Sequence, residues 1–218
     1  MGTPKRHTIL LVDDHPLVRE GLALRISLEA DLQVCGEAAG PAEALQAIDR
    51  LQPDLVLVDL SLKGGHGIEL IGNVKKRHPQ IRMLVLSGFP EALYAERSLR
   101  AGADGYLNKQ ESTDRLLVAI RSVLAGRRYL SSELERRLAD LALGRPSEPD
   151  STTSRLSDRE MEIFRLIGQG LSTKALAESL YLSPHTIDTH RENIKQKLGL
   201  ANAAELIRAA VQYVLEHG

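Results

Sequence analysis

The sequence Thr8-Ile9-Leu10-Leu11-Val12-Asp13-Asp14 carries the pattern that decides the fold of the first half of the chain. Its apolar run has no polar residue at alternate positions, which is typical of a strand buried on both faces of a parallel sheet. The stretch Leu55-Val56-Leu57-Val58-Asp59 repeats this pattern, and Met83-Leu84-Val85-Leu86 is a third run of the same kind. Such strands need helices on both faces of their sheet, so the runs predict an α/β domain.

Two weaker apolar runs and a series of amphipathic segments complete the pattern of this half. Short strands are predicted at Leu32–Cys35 and Gly105–Leu107. Helices are predicted at about Leu17–Leu28, Ala42–Leu51, Ile68–Arg77, Ala92–Ala101 and Thr113–Leu124. Five strand–helix units with short connections predict a doubly wound, flavodoxin-like domain around a five-stranded parallel sheet.

The second half of the chain has a helical pattern throughout, after a polar break. A helical extension, Ser132–Leu141, leads into Gly144–Ser154, which is rich in turn residues and is typical of a linker. Helices follow at about Asp158–Ile167, Thr173–Leu180, Pro184–Leu198 and Ala203–Glu216. We therefore predict an α/β domain at 8–125, an extension and linker at 126–154, and a small all-α domain at 155–218.

The composition excludes several classes of protein. A length of 218 residues with 43% hydrophobic residues fits two packed domains rather than a disordered chain. Cys35 is the only cysteine, which excludes an intramolecular disulfide and a cysteine zinc cluster. No apolar run approaches membrane length, so we expect a cytoplasmic protein without membrane association. The net charge of −1 gives no overall positive field, so nucleic-acid binding would require a local site.

Reactive side chains follow the predicted strands at the points where the strands end. In open α/β sheets, ligands bind at this carboxyl edge. Asp13 and Asp14 follow the first strand, and Asp59 follows the third. Ser87 ends the fourth strand and Lys109 follows the fifth. A single acid after a strand is more often a helix cap or turn residue, but five such groups at one edge favour a functional site.

The chemistry expected of this edge follows from its charges. Converging carboxylates repel one another unless a cation joins them, and Mg²⁺ prefers oxygen ligands of this kind. A carboxylate beside that metal can attack phosphorus and form an acyl phosphate. Lys109 and the Ser87 hydroxyl would then hold phosphoryl oxygens. Asp54 begins the third strand, roughly 16 Å away at ~3.3 Å per residue, and belongs to the opposite edge.

Residues 8–125 resemble the receiver domain of two-component response regulators. The matching stretches are Val12-Asp13-Asp14-His15-Pro16, Leu57-Val58-Asp59-Leu60-Ser61-Leu62, Leu86-Ser87 and Gly102-Ala103-Asp104-Gly105-Tyr106-Leu107-Asn108-Lys109. The resemblance implies that Asp59 accepts a phosphoryl group from a sensor histidine kinase. It implies that the ligands of Mg²⁺ are Asp13, Asp14, Asp59 and the backbone carbonyl of Ser61. It also implies a switch pair of Ser87 and Tyr106, whose ring turns inward once Ser87 moves toward the phosphate.

Two positions depart from the pattern of many receivers. Lys63 stands where they have proline four residues after the acceptor, and Gln110 stands where they have proline after the final lysine. Neither change removes a reacting group. Both concern loop rigidity, and so the lifetime of the phosphorylated state.

The helix predicted from Pro184 has two different faces. At 100° per residue, Ile187, Ile194 and Leu198 fall on one apolar stripe, opposite a face of polar residues. A tight turn joins it to the preceding helix, which is the spacing of a helix-turn-helix at about 173–198. Residues 155–218 contain eight Lys/Arg and eight Asp/Glu, so charge does not separate a DNA-binding domain from a plain helical bundle.

The last 64 residues resemble the LuxR-type helix-turn-helix. The matching stretches are Leu156-Ser157-Asp158-Arg159-Glu160, Gly170-Leu171-Ser172-Thr173-Lys174, Leu182-Ser183-Pro184-His185-Thr186-Ile187, Thr189-His190 and Lys197-Leu198-Gly199. Together with the receiver, this is the pattern of the NarL/FixJ class of response regulators. The resemblance implies DNA contacts by Thr173, Lys174, His185, Thr186, Asp188, Thr189, Arg191, Glu192 and Lys195, and a structural role for Glu160.

Asp188 and Glu192 depart from the basic residues that several members of this class carry. They could accept a hydrogen bond from cytosine, repel phosphates, or pair with Arg191 and Lys195. Arg191 flanks the buried stripe, which favours a phosphate contact over a base contact.

These features predict a phosphorylation-dependent transcriptional regulator that is not an enzyme. Its expected partners are DNA half-sites, a sensor histidine kinase, a second copy of itself on phosphorylation and, for an activator, RNA polymerase. Before phosphorylation, the recognition helix is expected to be partly covered by the receiver, near 63–67 or 87–90. The alternatives are a phosphohydrolase working through aspartyl phosphate and a constitutive DNA binder with an inactive receiver.

Overall fold

A computed structural model describes residues 6–62, 65–88, 91–142 and 155–217. The chain divides into two compact units, Met1–Arg136 and Arg137–Gly218. The predicted linker Gly144–Ser154 and the loop residues Lys63 and Pro90 lie outside the described residues.

The first unit alternates strands and helices in the predicted order. Its strands are β1 (His7–Val12), β2 (Leu32–Ala38), β3 (Leu55–Val58), β4 (Ser61–Leu62), β5 (Gly65–His66), β6 (Arg82–Ser87) and β7 (Gly105–Asn108). Its helices are α1 (Pro16–Ser27), α2 (Pro41–Leu51), α3 (Gly67–Arg77), α4 (Glu91–Ala101) and α5 (Thr113–Leu124). The helix α6 (Ser132–Ala142) crosses from the first unit into the second.

The main sheet is parallel and has five strands in the order β2-β1-β3-β6-β7. This order confirms the predicted doubly wound, flavodoxin-like fold. The register places Val12 beside Val58, Val58 beside Val85, and Ser87 beside Asn108. Because neighbouring strands end in step, the residues that follow them meet at one edge. A separate antiparallel hairpin, β4–β5, follows β3 on the chain.

The core explains why the central strands carry unbroken apolar runs. Every residue of β3 is buried, as are the last four of β1. One side of the sheet packs against α1 and α5 through a cluster that includes Ile9, Leu11, Ile26, Leu55, Leu57, Leu84, Leu116, Ile120 and Val123. Burying each of the larger of these side chains contributes roughly 1.5–3 kcal/mol to the stability of the fold. The strands that position the sheet edge are therefore held firmly.

The described part of the second unit from residue 155 onward is helical. Its helices are α7 (Asp158–Gly168), α8 (Thr173–Ser179), α9 (Pro184–Leu198) and α10 (Ala203–His217). Each of the first three begins at a serine whose hydroxyl accepts a backbone N–H: Ser157, Ser172 and Ser183. Within the part of the chain that the structure describes, no helix is long and apolar enough to cross a membrane.

Two contacts hold α7 against α10. The rings of Phe164 and Tyr213 lie 5.6 Å apart between centroids in a tilted arrangement. A Cβ on Gly168 would lie 2.2 Å from the backbone oxygen of Ala210, so only glycine permits this close approach. The two helices therefore pack closely together, and α9 packs against both of them.

Candidate functional site

The predicted acids meet at the carboxyl edge of the sheet. Asp13 and Asp59 are 3% and 4% exposed. The ammonium group of Lys109 lies between them, with Nζ 2.7 Å from Oδ2 of Asp13 and 2.6 Å from Oδ2 of Asp59. Backbone hydrogen bonds continue the sheet beyond the strands, from the N–H of Asp59 to Val12 and from that of Lys109 to Ser87. The fold thus brings together groups that lie up to 96 residues apart.

The backbone around Asp59 is also fixed. The N–H of Leu60 donates to Oδ1 of Asp59 at 2.7 Å, and the N–H of Gly67 donates to the carbonyl of Leu60 at 2.8 Å. A Cβ on Gly67 would lie 2.2 Å from the carbonyl oxygen of Asp59. The start of α3 is therefore pressed against the backbone of the candidate acceptor, and only glycine fits there.

Burial and charge act against each other on the ionisable groups of this edge. Burial raises the pKa of Asp59 to about 6, although Lys109 pulls it down. Burial likewise raises the pKa of Asp14. Burial lowers the pKa of Lys109, but the carboxylates of Asp59 and Asp13 outweigh this and raise it. Lys109 therefore stays cationic, while burial disfavours the anionic forms of Asp59 and Asp14.

The donor set fits a divalent cation. Asp13, Asp14, His15 and Asp59 each offer a ligand atom, and these atoms lie within 4.8 Å of one another. Oδ1 of Asp14 is buried and accepts no hydrogen bond from the described residues. A buried carboxylate oxygen without a donor is costly unless a cation approaches it. Ser61, whose carbonyl was expected as a ligand, lies in β4, two residues beyond Asp59.

The two residues expected to form a switch pair are both buried. Ser87 is 1% exposed at the end of β6, and Tyr106 is 1% exposed in β7. The tyrosine ring is therefore already inside the unit in this structure. Gln110, which replaces a proline in the expected pattern, is exposed, and its N–H donates to the side chain of Asn108 at 2.9 Å.

Asp54 lies at the opposite edge, as predicted from its position at the start of β3. Its Oδ2 accepts hydrogen bonds from the N–H and hydroxyl of Thr8 at 2.8 and 3.0 Å. These bonds join the beginnings of β1 and β3. The role of Asp54 is therefore structural.

Sequence reasoning missed two histidines beside the acidic edge. His15 lies 3.1 Å from Asp13 and 2.9 Å from Asp14, measured from its Nδ1 to Oδ1 of each. His66 is 3% exposed, accepts the N–H of Ile68 at the start of α3, and stacks on Tyr94 of α4 with ring centroids 6.5 Å apart. The strand-end pattern could not mark them, because neither ends a strand of the main sheet.

The helices α8 and α9 form the predicted helix-turn-helix. Ile187 and Ile194 of the expected apolar stripe are fully buried, whereas Leu198 is only partly buried. Of the residues expected to contact DNA, those exposed on α9 are His185, Asp188, Thr189 and Glu192. Lys174 is exposed in α8 as well; its Nζ lies 4.0 Å from Glu178. The partly buried ones are Thr173, Thr186, Arg191 and Lys195.

Three basic residues of α9 have partners within the second unit. Lys195 pairs with Glu192 at 2.8 Å, one of the pairings that the sequence left open. Arg191 donates to the hydroxyl of Thr173 at 2.9 Å, which ties α9 to α8. Lys197 pairs with Glu160 at 2.6 Å. Glu160 is 4% exposed and completes the capping box of α7, in agreement with its predicted structural role.

Comparison with known families agrees with this arrangement. Residues 9–121 match the response regulator receiver domain, and residues 154–210 match the bacterial regulatory proteins of the luxR family. The response regulator GacA of Pseudomonas aeruginosa is 34% identical, covering 94% of this chain and 95% of that protein. The oxygen regulatory protein NreC of Staphylococcus aureus is also 34% identical, covering 94% and 96%.

A solved structure resembles the whole chain. It is a complex of the two-component response regulator RcsB with DNA, which is 25% identical with a TM-score of 0.56. The match covers 96% of this chain and 100% of that one. With a receiver fold, an acidic edge and a LuxR-type helix-turn-helix in one chain, the protein belongs to the two-component response regulators of the NarL/FixJ class, a family of transcription regulators.

Proposed function

We propose that Asp59 is the phosphoacceptor of this regulator and that its phosphorylation controls DNA binding by α9. The observation that carries the proposal is the shared ammonium group, with Lys109 bridging Asp13 and Asp59 at 2.7 and 2.6 Å. This geometry places a permanent cation beside the one acid that follows β3. Such a cation is suited to hold a phosphoryl oxygen after transfer.

The transfer is a nucleophilic displacement at phosphorus. A carboxylate oxygen of Asp59 forms the new O–P bond as the N–P bond of a phosphohistidine on the sensor kinase breaks, and the bonding electrons leave with the imidazole. Asp13, Asp14, Asp59 and the carbonyl of Ser61 would hold Mg²⁺, which supplies charge neutralisation at the phosphoryl oxygens. Leu60 fixes the carboxylate orientation through its N–H.

The switch is expected to act through Ser87 and Tyr106. A phosphoryl group adds about −1.5 to −2 charge at the edge and draws the Ser87 hydroxyl and the Lys109 ammonium toward it. Ser87 is paired with Asn108 in the sheet register, and Tyr106 lies two residues earlier on the same strand. A shift at the end of β6 is thereby passed to β7 and to the face around Tyr106.

The output is proposed to be DNA binding by α9, with α8 as its support. Thr189, Asp188 and His185 are exposed on α9, so they are available to read base edges. Arg191 and Lys195 lie on the flanks, where phosphate contacts are expected. The DNA complex of RcsB supports this assignment.

We further propose that phosphorylation makes the chain a homodimer, because one DNA-binding module with a single recognition helix and equal numbers of Lys/Arg and Asp/Glu over 155–218 should bind DNA weakly alone. The proposed boundaries are a receiver at 8–125, a linker region at 126–154 and a DNA-binding domain at 155–218. Phosphorylation of Asp59 requires a sensor histidine kinase as partner. Regulation at the chromosome requires a cytoplasmic location and, for an activator, contact with RNA polymerase.

A phosphohydrolase would use the same acidic edge but needs a second acid as proton donor. The residue two positions after the acceptor is Ser61, which cannot serve as one. A constitutive DNA binder would not need the shared ammonium group. Both alternatives are therefore less well supported than the switch.

The acceptor is tested by intact-protein mass spectrometry after incubation with Mg²⁺ and a small acyl-phosphate donor. The wild type should gain one phosphoryl group, and Asp59→Asn should gain none. Asp54→Asn is the matched control, since it removes a carboxylate from the opposite edge, and it should be labelled like the wild type. Equal labelling of wild type and Asp59→Asn would contradict the assignment.

A further inference from the structure

The acidic edge contains one nitrogen ligand that the proposed Mg²⁺ site does not use. His15 follows Asp13 and Asp14 directly and precedes α1, and its imidazole belongs to the group whose ligand atoms lie within 4.8 Å of one another. A metal ion with bonds of about 2.1 Å separates its ligands by roughly 3–4 Å, so small side-chain shifts suffice to bring all four onto one ion.

The contacts of His15 place its imidazole against the metal-ligating oxygens of the acidic edge. Its Nδ1 lies 2.9 Å from Oδ1 of Asp14, yet Asp14 Oδ1 accepts no hydrogen bond from the described residues. The side chain of Asp14 is 5% exposed, so water cannot readily replace the missing donor. The same Nδ1 lies 3.1 Å from Oδ1 of Asp13, so it faces both carboxylates at once, as a ligand of a shared cation would.

The ligand atoms on this side of the edge are separate from those that hold Lys109. Lys109 contacts Oδ2 of Asp13, whereas His15 faces Oδ1 of the same carboxylate. A cation beside His15 would therefore not have to displace the ammonium group from Asp13. His15 itself has 61% of its side chain exposed, which leaves a path for an ion from solvent.

We propose that His15 is a fourth side-chain ligand that adapts this site to a divalent transition-metal ion, in addition to Mg²⁺. Imidazole nitrogen suits ions such as Co²⁺ and Zn²⁺, whereas Mg²⁺ prefers oxygen ligands alone. Both kinds of ion therefore share the carboxylates, and only the transition-metal ion also uses the imidazole. This inference deepens the metal site of the proposed function and rests on that site.

Isothermal titration calorimetry of the metal-stripped, full-length chain with Co²⁺ and with Mg²⁺ tests the proposal. His15→Ala should weaken Co²⁺ binding by about 10-fold or more, since even residues that only support a ligand contribute 10- to 100-fold. Its Mg²⁺ affinity should change by less than about threefold, because Mg²⁺ takes oxygen ligands. Asp13→Asn should weaken the binding of both ions.

His78→Ala is the matched control. His78 also lies beside a carboxylate, with Nε2 2.8 Å from Oδ1 of Asp49, but it is outside the acidic edge. This variant should bind Co²⁺ as the wild type does. An unchanged Co²⁺ affinity in His15→Ala, an equal loss for both ions, or an equal loss in His78→Ala would each overturn the proposal. The labelling of Asp59 in Mg²⁺ is read separately, so a failure of the proposed function is distinguishable from a failure of this inference.

Discussion

Asp13 and Asp59 share one ammonium group, yet the two carboxylates have different parts to play. Asp59 is the proposed nucleophile, and Asp13 is a proposed metal ligand whose other oxygen accepts the N–H of His15. Replacing Asp13 should therefore damage metal binding without removing the acceptor. The metal affinity and the phosphorylation of Asp59 can therefore be tested separately.

Asp13→Asn is expected to lower the affinity for Mg²⁺ by roughly 10-fold or more, because Mg²⁺ is usually held by only one or two carboxylates. The rise in melting temperature that Mg²⁺ causes in the wild type should shrink accordingly. Asp54→Asn, which removes a carboxylate bound to Thr8 at the other edge, should leave the Mg²⁺ response intact. A Mg²⁺ response in Asp13→Asn equal to that of the wild type would contradict the metal assignment.

The groups that end strands could be predicted from sequence, because a parallel sheet brings its strand ends together. This rule located Asp13, Asp14, Asp59, Ser87 and Lys109. It could not identify His15, His66 or Gly67, whose contacts depend on the exact path of the chain after β3 and before α1. Their roles follow from distances, which the residue pattern does not contain.

Among the elements, the helices and main strands agreed with the apolar patterns that predicted them. Unbroken apolar runs mark central strands, and the Ser-Pro start and glycine end mark α9 clearly. The hairpin of β4 and β5 was not predicted. Each of its strands has two residues, which is too short for any periodicity to appear in the sequence.

The ion pair between Lys197 and Glu160 joins α9 to the start of α7. Burial alone would raise the pKa of Glu160, but hydrogen bonds from Lys197 and Ser157 hold it below its ordinary value. A lowered pKa means that this contribution to stability is present above the unfolded-state pKa and is lost as the pH falls through the folded-state value. The pair should therefore stabilise the second unit at neutral pH and not in strong acid.

Lys197→Ala is expected to lower the free energy of unfolding by about 1 kcal/mol at pH 7, given a charge-assisted bond that is partly screened. The difference from the wild type should shrink once the pH falls below the ordinary glutamate pKa of about 4.3, and should disappear in acid below the lowered folded-state pKa. Lys174→Ala is the control, since Lys174 and Glu178 are exposed and 4.0 Å apart. Urea unfolding at pH 7 and in acid measures the effect, and a loss that does not depend on pH would argue against the pair.

Within α9, a residue expected to contact phosphate and a residue expected to contact bases should affect DNA binding differently. Lys195→Ala should weaken binding to all DNA sequences and reduce the slope of the salt dependence by about one unit, because one ammonium–phosphate pair is removed. Thr189→Ala should instead change the preference among sequences, because its exposed hydroxyl is available to base edges. Titrations of specific and random DNA at several salt concentrations separate the two effects. Unchanged binding in both variants would refute the placement of α9 in the groove.

At the scale of the whole molecule, the two units must communicate for phosphorylation to matter. The sequence predicts a linker of about a dozen residues, and a coil of that length reaches roughly 20 Å, enough for a DNA-binding domain either to dock or to swing away. The expected covering of the recognition helix by the receiver stays a prediction. To change the ratio of active to inactive molecules from 1:99 to 99:1, phosphorylation must favour the active state by about 5.5 kcal/mol.

Dimerisation is the simplest source of such a gain. Two modules on half-sites about 34–36 Å apart bind DNA together, so the second module binds at high effective concentration. Sedimentation of the phosphorylated wild type should therefore show a dimer, while Asp59→Asn treated with the same donor should remain monomeric. A phosphorylated wild type that sediments as a monomer would exclude this mechanism and leave both domain assignments in place.

The most direct test of the central claim is a selection of genomic DNA fragments by the purified chain in three forms. These are the untreated wild type, the wild type phosphorylated with Mg²⁺ and an acyl-phosphate donor, and Asp59→Asn after the same treatment. A discrete set of fragments should be enriched strongly by the phosphorylated wild type and weakly by the other two. Equal enrichment of the same fragments by all three forms would contradict control of DNA binding by phosphorylation of Asp59.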